Sequence, residues 1–260
     1  MITKKYYKLI RVNYEDEGYF YIKNESDQIG NVTLSTSGSA LDAWSGVEYS
    51  TDGINWNSYD RTLSPTVFLP IGGHLYWRGN GVICSFSTSY TNRYNHFNVD
   101  VNHSIGGNII SLVDKVDFAT RTSFPGVSGS INPGLYFLFG NDTKLISAEK
   151  LNFGHLSSVG AYGLQSMFSG CTMLEKGCDL SSITSIGKSG AKSMYYGCSV
   201  LTSVTTPNVT TWDGSYPDGS FYTWLQNVSA SGTIYAPTGS DIANTSGSSG
   251  VPSNWTVVYY

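Results

Sequence analysis

The sequence is short of charge. Only 13% of its 260 residues are Asp, Glu, Lys or Arg, against about 25% in an ordinary soluble domain, which excludes a charged disordered tail, a coiled coil and a long-helix bundle. Ala, Leu, Glu and Lys, the residues that favour helices, are scarce. Basic clusters are missing too. The net charge is −4, from 15 basic and 19 acidic residues, and cations concentrate only at Lys4, Lys5, Lys8 and Arg11, which argues against a nucleic-acid footprint. Apolar runs are short, as in Thr66-Val67-Phe68-Leu69-Pro70, far below the roughly 20 residues of a membrane helix, so no membrane insertion is expected. Residues 1–11 carry charge with no apolar stretch behind it, and so do not read as a secretory signal.

Catalytic and metal-binding patterns are also lacking. The four His, at 74, 96, 103 and 155, are scattered, and there is no Gly-x-Ser-x-Gly elbow, His-Glu-x-x-His or phosphate loop. Asp213 and Asp218 lie close in sequence but read as turn or capping residues rather than a glycosidase pair. Asp142 and Asp179 likewise read as turn residues rather than calcium ligands. Of the four cysteines, at 84, 171, 178 and 198, none has the close pairing of a zinc site. No enzyme activity, cofactor or metal is expected.

What the chain has instead is 29 Gly, about a quarter Ser plus Thr, and 14% aromatic residues, a composition of strands and turns. Strand candidates fall at 6–12, 19–23, 31–37, 47–50, 56–59, 67–69, 75–78, 83–87 and 97–101, spaced as in a β-sandwich. Asp52-Gly53 reads as a tight hairpin between aromatic-bearing strands. The rings of Tyr49, Trp56, Tyr76 and Trp77 suit either a core or a sugar-stacking platform, and strand alternation favours the core.

From about residue 135 the sequence resembles itself. Phe137-Leu138-Phe139-Gly140-Asn141-Asp142 aligns with Ser166-Met167-Phe168-Ser169-Gly170-Cys171 and with Ser193-Met194-Tyr195-Tyr196-Gly197-Cys198. Upstream, Ser157-Ser158-Val159-Gly160 aligns with Thr184-Ser185-Ile186-Gly187. Stacked copies would form a solenoid, each coil holding a short strand ending near Val159 or Ile186, one helical turn carrying Met167 or Met194, and a second strand after Leu174 or Leu201. Cys171 and Cys198 would then be equivalent inward thiols rather than a disulfide, and a Ser in either place would find no partner for its hydroxyl. Lys176-Gly177-Cys178-Asp179 reads as an irregular insertion.

Phe168-Ser169-Gly170-Cys171-Thr172-Met173-Leu174 and Tyr195-Tyr196-Gly197-Cys198-Ser199-Val200-Leu201 resemble the BspA-like leucine-rich repeat. Trp224 to Tyr235 with Gly250 to Val258 is similar to the terminal cap of proteins that carry these repeats in gut Bacteroidetes and their phages. Glu48 to Trp56, Leu75 to Asn80 and Gly106 to Leu112 resemble the leading domain of that architecture. The resemblance implies a mainly β chain, with a possible attachment segment at 1–15, a β-sandwich at 16–115 and a short leucine-rich-repeat solenoid with brief helical turns and a C-terminal cap at 135–260.

Three roles follow: a virion structural protein, a head or tail fibre or decoration, displaying its repeats to a host-surface glycan or protein; a bacterial cell-surface adhesin or carbohydrate-binding module; or a structural spacer. The start at Met1 without an export signal favours the virion. Tyr196, at a position filled by Gly140 and Ser169 in the other copies, and Trp212, Tyr216 and Tyr222, in and beside a loop-rich stretch, are the candidate binding residues. Tyr195, Phe221 and Trp224 share that region, and some of these rings must be core. Lys4, Lys5, Tyr6, Tyr7, Lys8 and Arg11 are candidates for attachment to other virion proteins by strand addition, and a homo-oligomer is expected.

Overall fold

The computed structural model describes residues 18–37, 44–87, 94–124, 131–215 and 217–260. Among them the protein is mainly β with mixed sheets. The strand candidate at 6–12 lies outside the described residues, as do the attachment candidates Lys4 to Arg11 and the binding candidate Tyr216.

Period-two alternation builds the first half. The strands are β1 (Tyr21–Asn24), β2 (Gly30–Ser37), β3 (Trp44–Ser50), β4 (Asn57–Ser58), β5 (Val67–Leu69), β6 (His74–Gly81), β7 (Cys84–Ser87), β8 (Tyr94–Val99) and β9 (His103–Asn108). In the antiparallel sheet β5-β2-β8, Val67, Leu69, Val32, Leu34, Phe97 and Val99 are buried. Phe97 meets Trp77 of β6 at 5.3 Å and Phe20 at 5.6 Å between ring centroids, which locks this sheet against the one containing β4-β3-β6-β1-β9. The Tyr59 hydroxyl accepts from Leu34 N–H and donates to the Pro65 carbonyl. Asp52-Gly53 is not a tight hairpin: Tyr49 pairs with Asn57, and the carboxylate of Asp52 accepts from the N–H groups of Ile54 and Asn55 to order a wider loop. Trp77 is core and Tyr49 packs on it. Trp56 is half-buried beneath the Arg78 guanidinium, 3.9 Å from the ring centroid.

β9 is a strand that alternation does not reveal, because it carries Gly106-Gly107. A Cβ at Gly106 would lie 2.3 Å from the Tyr21 hydroxyl, and one at Gly107, with φ +74°, would lie 2.2 Å from the Tyr19 carbonyl, so these glycines mark a close approach rather than a turn. β9 is the seam of the ten-stranded sheet. It pairs antiparallel with β1 on one side and parallel with β11 on the other.

The second half holds β10 (Ile131–Gly134), which pairs with β7, then β11 (Leu145–Asn152), β12 (Ser158–Val159), β13 (Lys176–Asp179), β14 (Ser185–Ile186), β15 (Ser203–Thr205), β16 (Gly232–Ala236) and β17 (Trp255–Tyr259). β11, β13, β15, β16 and β17 run parallel as neighbours, and β12 pairs in parallel with β14, Ser158 opposite Ser185. Lys176 to Asp179 is therefore a strand of the sheet rather than an insertion, although its register against β15 shifts between Lys176 and Asp179.

Between β12 and β13, and between β14 and β15, the expected helical turn is absent. Gln165, Met167, Ser169 and Cys171 donate their N–H groups three residues back, while the intervening Leu164, Ser166, Phe168 and Gly170 donate to Gly190, Lys192, Met194 and Tyr196. A helix spends its donors internally; here half of them tie residues 164–170 to residues 190–196. The alternation needs a left-handed residue at every fourth position, Tyr162, Ser166 and Gly170 in one coil and Ser189, Ser193 and Gly197 in the next, with φ between +52° and +80°. In the earlier coil Asn141, at +61°, takes the place of Gly170. Helix among the described residues is confined to short 3-10 segments at Ile109–Leu112, Ile242–Asn244 and Gly247–Ser249. Beneath the turns Phe139, Phe168 and Tyr195 stack with centroids 5.5 and 5.4 Å apart.

Two opposed substitutions test this ladder. Gly197→Ala is expected to cost about 1–2 kcal/mol, because room exists for the Cβ but the left-handed backbone disfavours it. Ser166→Gly is expected to stabilise by about 0.5–1 kcal/mol. A melting temperature that moves the same way in both would contradict the left-handed assignment.

Candidate functional site

The parallel pair β12-β14 ends at β14: among the described residues no strand continues it. Residues 207–213 instead swing away after Asn208 N–H has bonded to the Ile183 carbonyl at 2.7 Å. What draws them off lies further along the chain, at Asp241 and Ser249. Thr210 accepts from Asp241 N–H, Trp212 N–H donates to the Asp241 carboxylate at 2.6 Å, and the Trp212 indole N–H reaches the Ser249 carbonyl at 2.7 Å. A groove is left along the open edge of β14, between Thr184-Ser185 on one side and Asn208 to Asp213 on the other. Ser220, whose hydroxyl donates to the Gly187 carbonyl, and Phe221 close its end.

Half of the lining residues carry hydroxyls, with one amide, one carboxylate and the apolar side chains of Ile186, Val209 and Phe221. Asp213 Oδ1 accepts from the hydroxyl and N–H of Ser215, and the hydroxyl bond above all holds its carboxyl below the usual range, so the group is ionised at neutral pH. The side chains of Ser185, Asn208, Thr210 and Thr211 make no hydrogen bond among the described residues and face no Lys or Arg in the lining. Such a surface offers donors and acceptors to a neutral, hydroxyl-rich ligand and repels anions.

The structure does not gather the sequence-derived candidates into one site. Trp212 is 6% exposed, its ring stacked on Phe221 with centroids 3.6 Å apart, so it is a core residue and not part of the display; an aromatic in a loop-rich stretch has been drawn inward by a second one. Tyr195, Phe221 and Trp224 are core as well. Tyr196, in contrast, is 39% exposed, at an outward place on the turn ladder. Tyr222 is half-buried on the same ladder, with Lys192 Nζ 5.4 Å from its ring. Neither lines the groove. The sequence signal for the groove is Thr205 to Thr211, which departs from the copy 27 residues earlier, Cys178 to Thr184, with Pro207 and Asn208 in place of Leu180 and Ser181.

All four cysteines are free and buried. Cys171 Sγ donates to the Phe139 carbonyl at 3.0 Å and Cys198 Sγ to that of Phe168 at 3.1 Å. A Ser hydroxyl would therefore meet a partner in either place, contrary to the expectation from sequence. Burial pushes the Cys198 and Cys178 thiols up to about 12, and thiols held neutral are poor nucleophiles.

Asp142 and Asp179 do hold turns, accepting from Lys144 and Leu145 and from Ser181. Asp142 also faces His103 inside the protein, Oδ2 to Nε2 3.2 Å, with the side chains 3% and 1% exposed. Among the described residues no three His, Cys, Asp or Glu side chains converge as a metal site, and no helix is long and apolar enough to cross a membrane. No family model, curated protein or solved structure matches the chain.

Proposed function

We propose that the protein is a non-catalytic display module, of the virion fibre or decoration type implied by the BspA-like resemblance, and that it recognises a neutral host-surface glycan in the groove beside β14. The groove carries the reading: Ser185, Asn208, Thr210 and Thr211 present unengaged polar groups beside the ionised Asp213, on a scaffold tied coil to coil by backbone hydrogen bonds. Loops on a rigid frame are where recognition residues gather. Support for a short solenoid at 135–260 comes from the recurring 27-residue separation of equivalent bonds, as between Ser199 and Thr172 or Thr202 and Glu175. Support for a sandwich at 16–115 comes from the rings packed between its two sheets. Single contacts in a shallow groove are weak, and copies arrayed on one particle would raise them by roughly a hundred-fold or more.

Asn208→Ala and Asp213→Ala, alone and together, are expected to leave the fold intact and to lower binding on a glycan array by about tenfold each, the equivalent of losing about 1.4 kcal/mol. Unchanged binding in the double variant would reject the groove. Hydrolysis of a host polysaccharide by the intact protein would reject the non-catalytic reading.

A further inference from the structure

A second surface, distant in sequence from the groove, has no role in that reading. Phe68 of β5 is 69% exposed, Ile29 63% and Ile71 57%, and with Pro70 they line one apolar depression. Val67 and Leu69 on either side of Phe68 are buried, so alternation places the ring on the outer face of its sheet. An exposed Phe between two exposed Ile is a concentration of apolar surface that marks an interaction site rather than scattered exposure. β5 is also the edge of β5-β2-β8. Among the described residues no strand lies beyond it, so its outer backbone groups can take a further strand.

The rim of the patch identifies the partner. Asn31 lies opposite Phe68 on β2, and its amide and N–H are held by the carboxylate of Asp100 at 2.6 and 2.7 Å. Asp27 lies two residues before Ile29, and Glu25 two before that. Glu25 is paired with Lys23 at 3.1 Å, whereas Asp27 and Asp100 face no Lys or Arg among the described residues, and the stretches 26–31, 64–73 and 98–102 contain none. Two copies joined patch to patch would set acidic rims against each other. A partner for this surface carries apolar side chains interleaved with cations. One stretch of the chain has that composition: Lys4-Lys5-Tyr6-Tyr7-Lys8-Leu9-Ile10-Arg11.

We propose that the patch of Ile29, Phe68, Pro70 and Ile71 is the docking site for the leading segment, residues 4–12, of a second copy of this chain. Laid as a strand along the edge of β5, the segment turns alternate side chains to the outer face: Tyr7 and Leu9 supply the apolar contact, Lys5 and Arg11 meet Asp27 and Asp100, and β5 adds backbone hydrogen bonds. Each copy gives one segment and receives another, so the exchange closes as a reciprocal dimer or a ring, or runs on as a linear array. It is independent of the glycan reading of the groove.

The full-length protein tests it. Sedimentation equilibrium is expected to show self-association that weakens with added salt. Phe68→Asp is expected to weaken it at least tenfold, as is reversal of Lys4, Lys5, Lys8 and Arg11 to Glu; Ile71→Asp replaces Phe68→Asp if that variant fails to fold. Two differently tagged copies, one carrying Phe68→Cys and the other Tyr7→Cys, are expected to form a mixed disulfide on mild oxidation, since the four native thiols are buried. A monomer at every concentration, or association indifferent to Phe68→Asp, overturns the proposal. Loss of association with Phe68→Asp but not with the charge reversals overturns the choice of occupant. A Phe68→Cys, Tyr7→Cys double variant that cross-links only within one chain shows that the segment serves its own copy, and overturns it equally.

Discussion

Between about pH 9 and 12 the folded protein is expected to lose stability steeply, and the buried cysteines are the reason. Desolvation raises the Cys178 and Cys198 thiols to about 12, and pushes those of Cys84 and Cys171 up as well. In the unfolded chain the same thiols ionise near 8.5. The native state therefore holds protons that the unfolded state releases, and stability falls as pH rises. The contribution is fully present below the unfolded value and is lost as pH climbs through the folded one. Each thiol adds a slope of about 1.4 kcal/mol per pH unit, so Cys178 and Cys198 together remove about 3 kcal/mol per unit, against a typical total of 5–15 kcal/mol. Burial raises the Tyr195 hydroxyl too, which acts in the same direction. Urea midpoints at pH 7, 9, 10 and 11 measure the slope, and a Cys178→Ala, Cys198→Ala double variant is expected to flatten it. A midpoint constant between pH 8 and 11 would show that water reaches the thiols.

Which parts of this fold were legible in the sequence follows from which physical signals are local. β2 and β5 were legible because Val32 and Leu34, and Val67 and Leu69, alternate into one core while their neighbours face out. The positions of β12 and β14, and of the strands after Leu174 and Leu201, were legible from internal repetition. β9 was not, since Gly106 and Gly107 answer to Tyr21 and Tyr19, far away in sequence. The turn ladder was hidden for a related reason: its left-handed positions are filled by Tyr162, Ser166, Ser189 and Ser193 as well as by glycine, and what holds them there is the next coil. Of the binding candidates, Tyr196 was readable as outward because its column varies. Trp212 was misplaced because its fate depends on Phe221 and the Ser249 carbonyl. The groove arises from a ladder that stops, which no single segment encodes.

Asp142 joins the two halves of the sheet, and its removal is expected to cause the largest loss of stability among single substitutions at the seam. It departs from the repeat, standing where the later copies have Cys171 and Cys198, and the structure gives the reason. Those thiols meet backbone carbonyls of a preceding coil, whereas Asp142 borders the first half and meets His103 on β9. His103 Nδ1 lies 3.0 Å from the Val101 carbonyl. Its Nε2 faces Asp142 Oδ2 at 3.2 Å, and neither atom makes a hydrogen bond among the described residues. The other carboxylate oxygen accepts from Lys144 and Leu145 N–H as the chain enters β11. Asp142→Ala strips the acceptor from two backbone donors and removes the carboxylate that faces the buried ring nitrogen, an expected cost of about 2–5 kcal/mol. Asp142→Asn keeps an oxygen for the turn and is expected to cost less. A His103→Leu background separates the two roles. There Asp142→Ala should cost only the turn bonds, about 1–3 kcal/mol, and the difference is the coupling across the seam. Equal costs in both backgrounds, measured by urea unfolding, would show that Asp142 holds only its own turn and that the two halves are joined by other contacts, the backbone pairing of β9 with β11 and of β7 with β10 and the packing of Phe139 on Phe20 and Phe97.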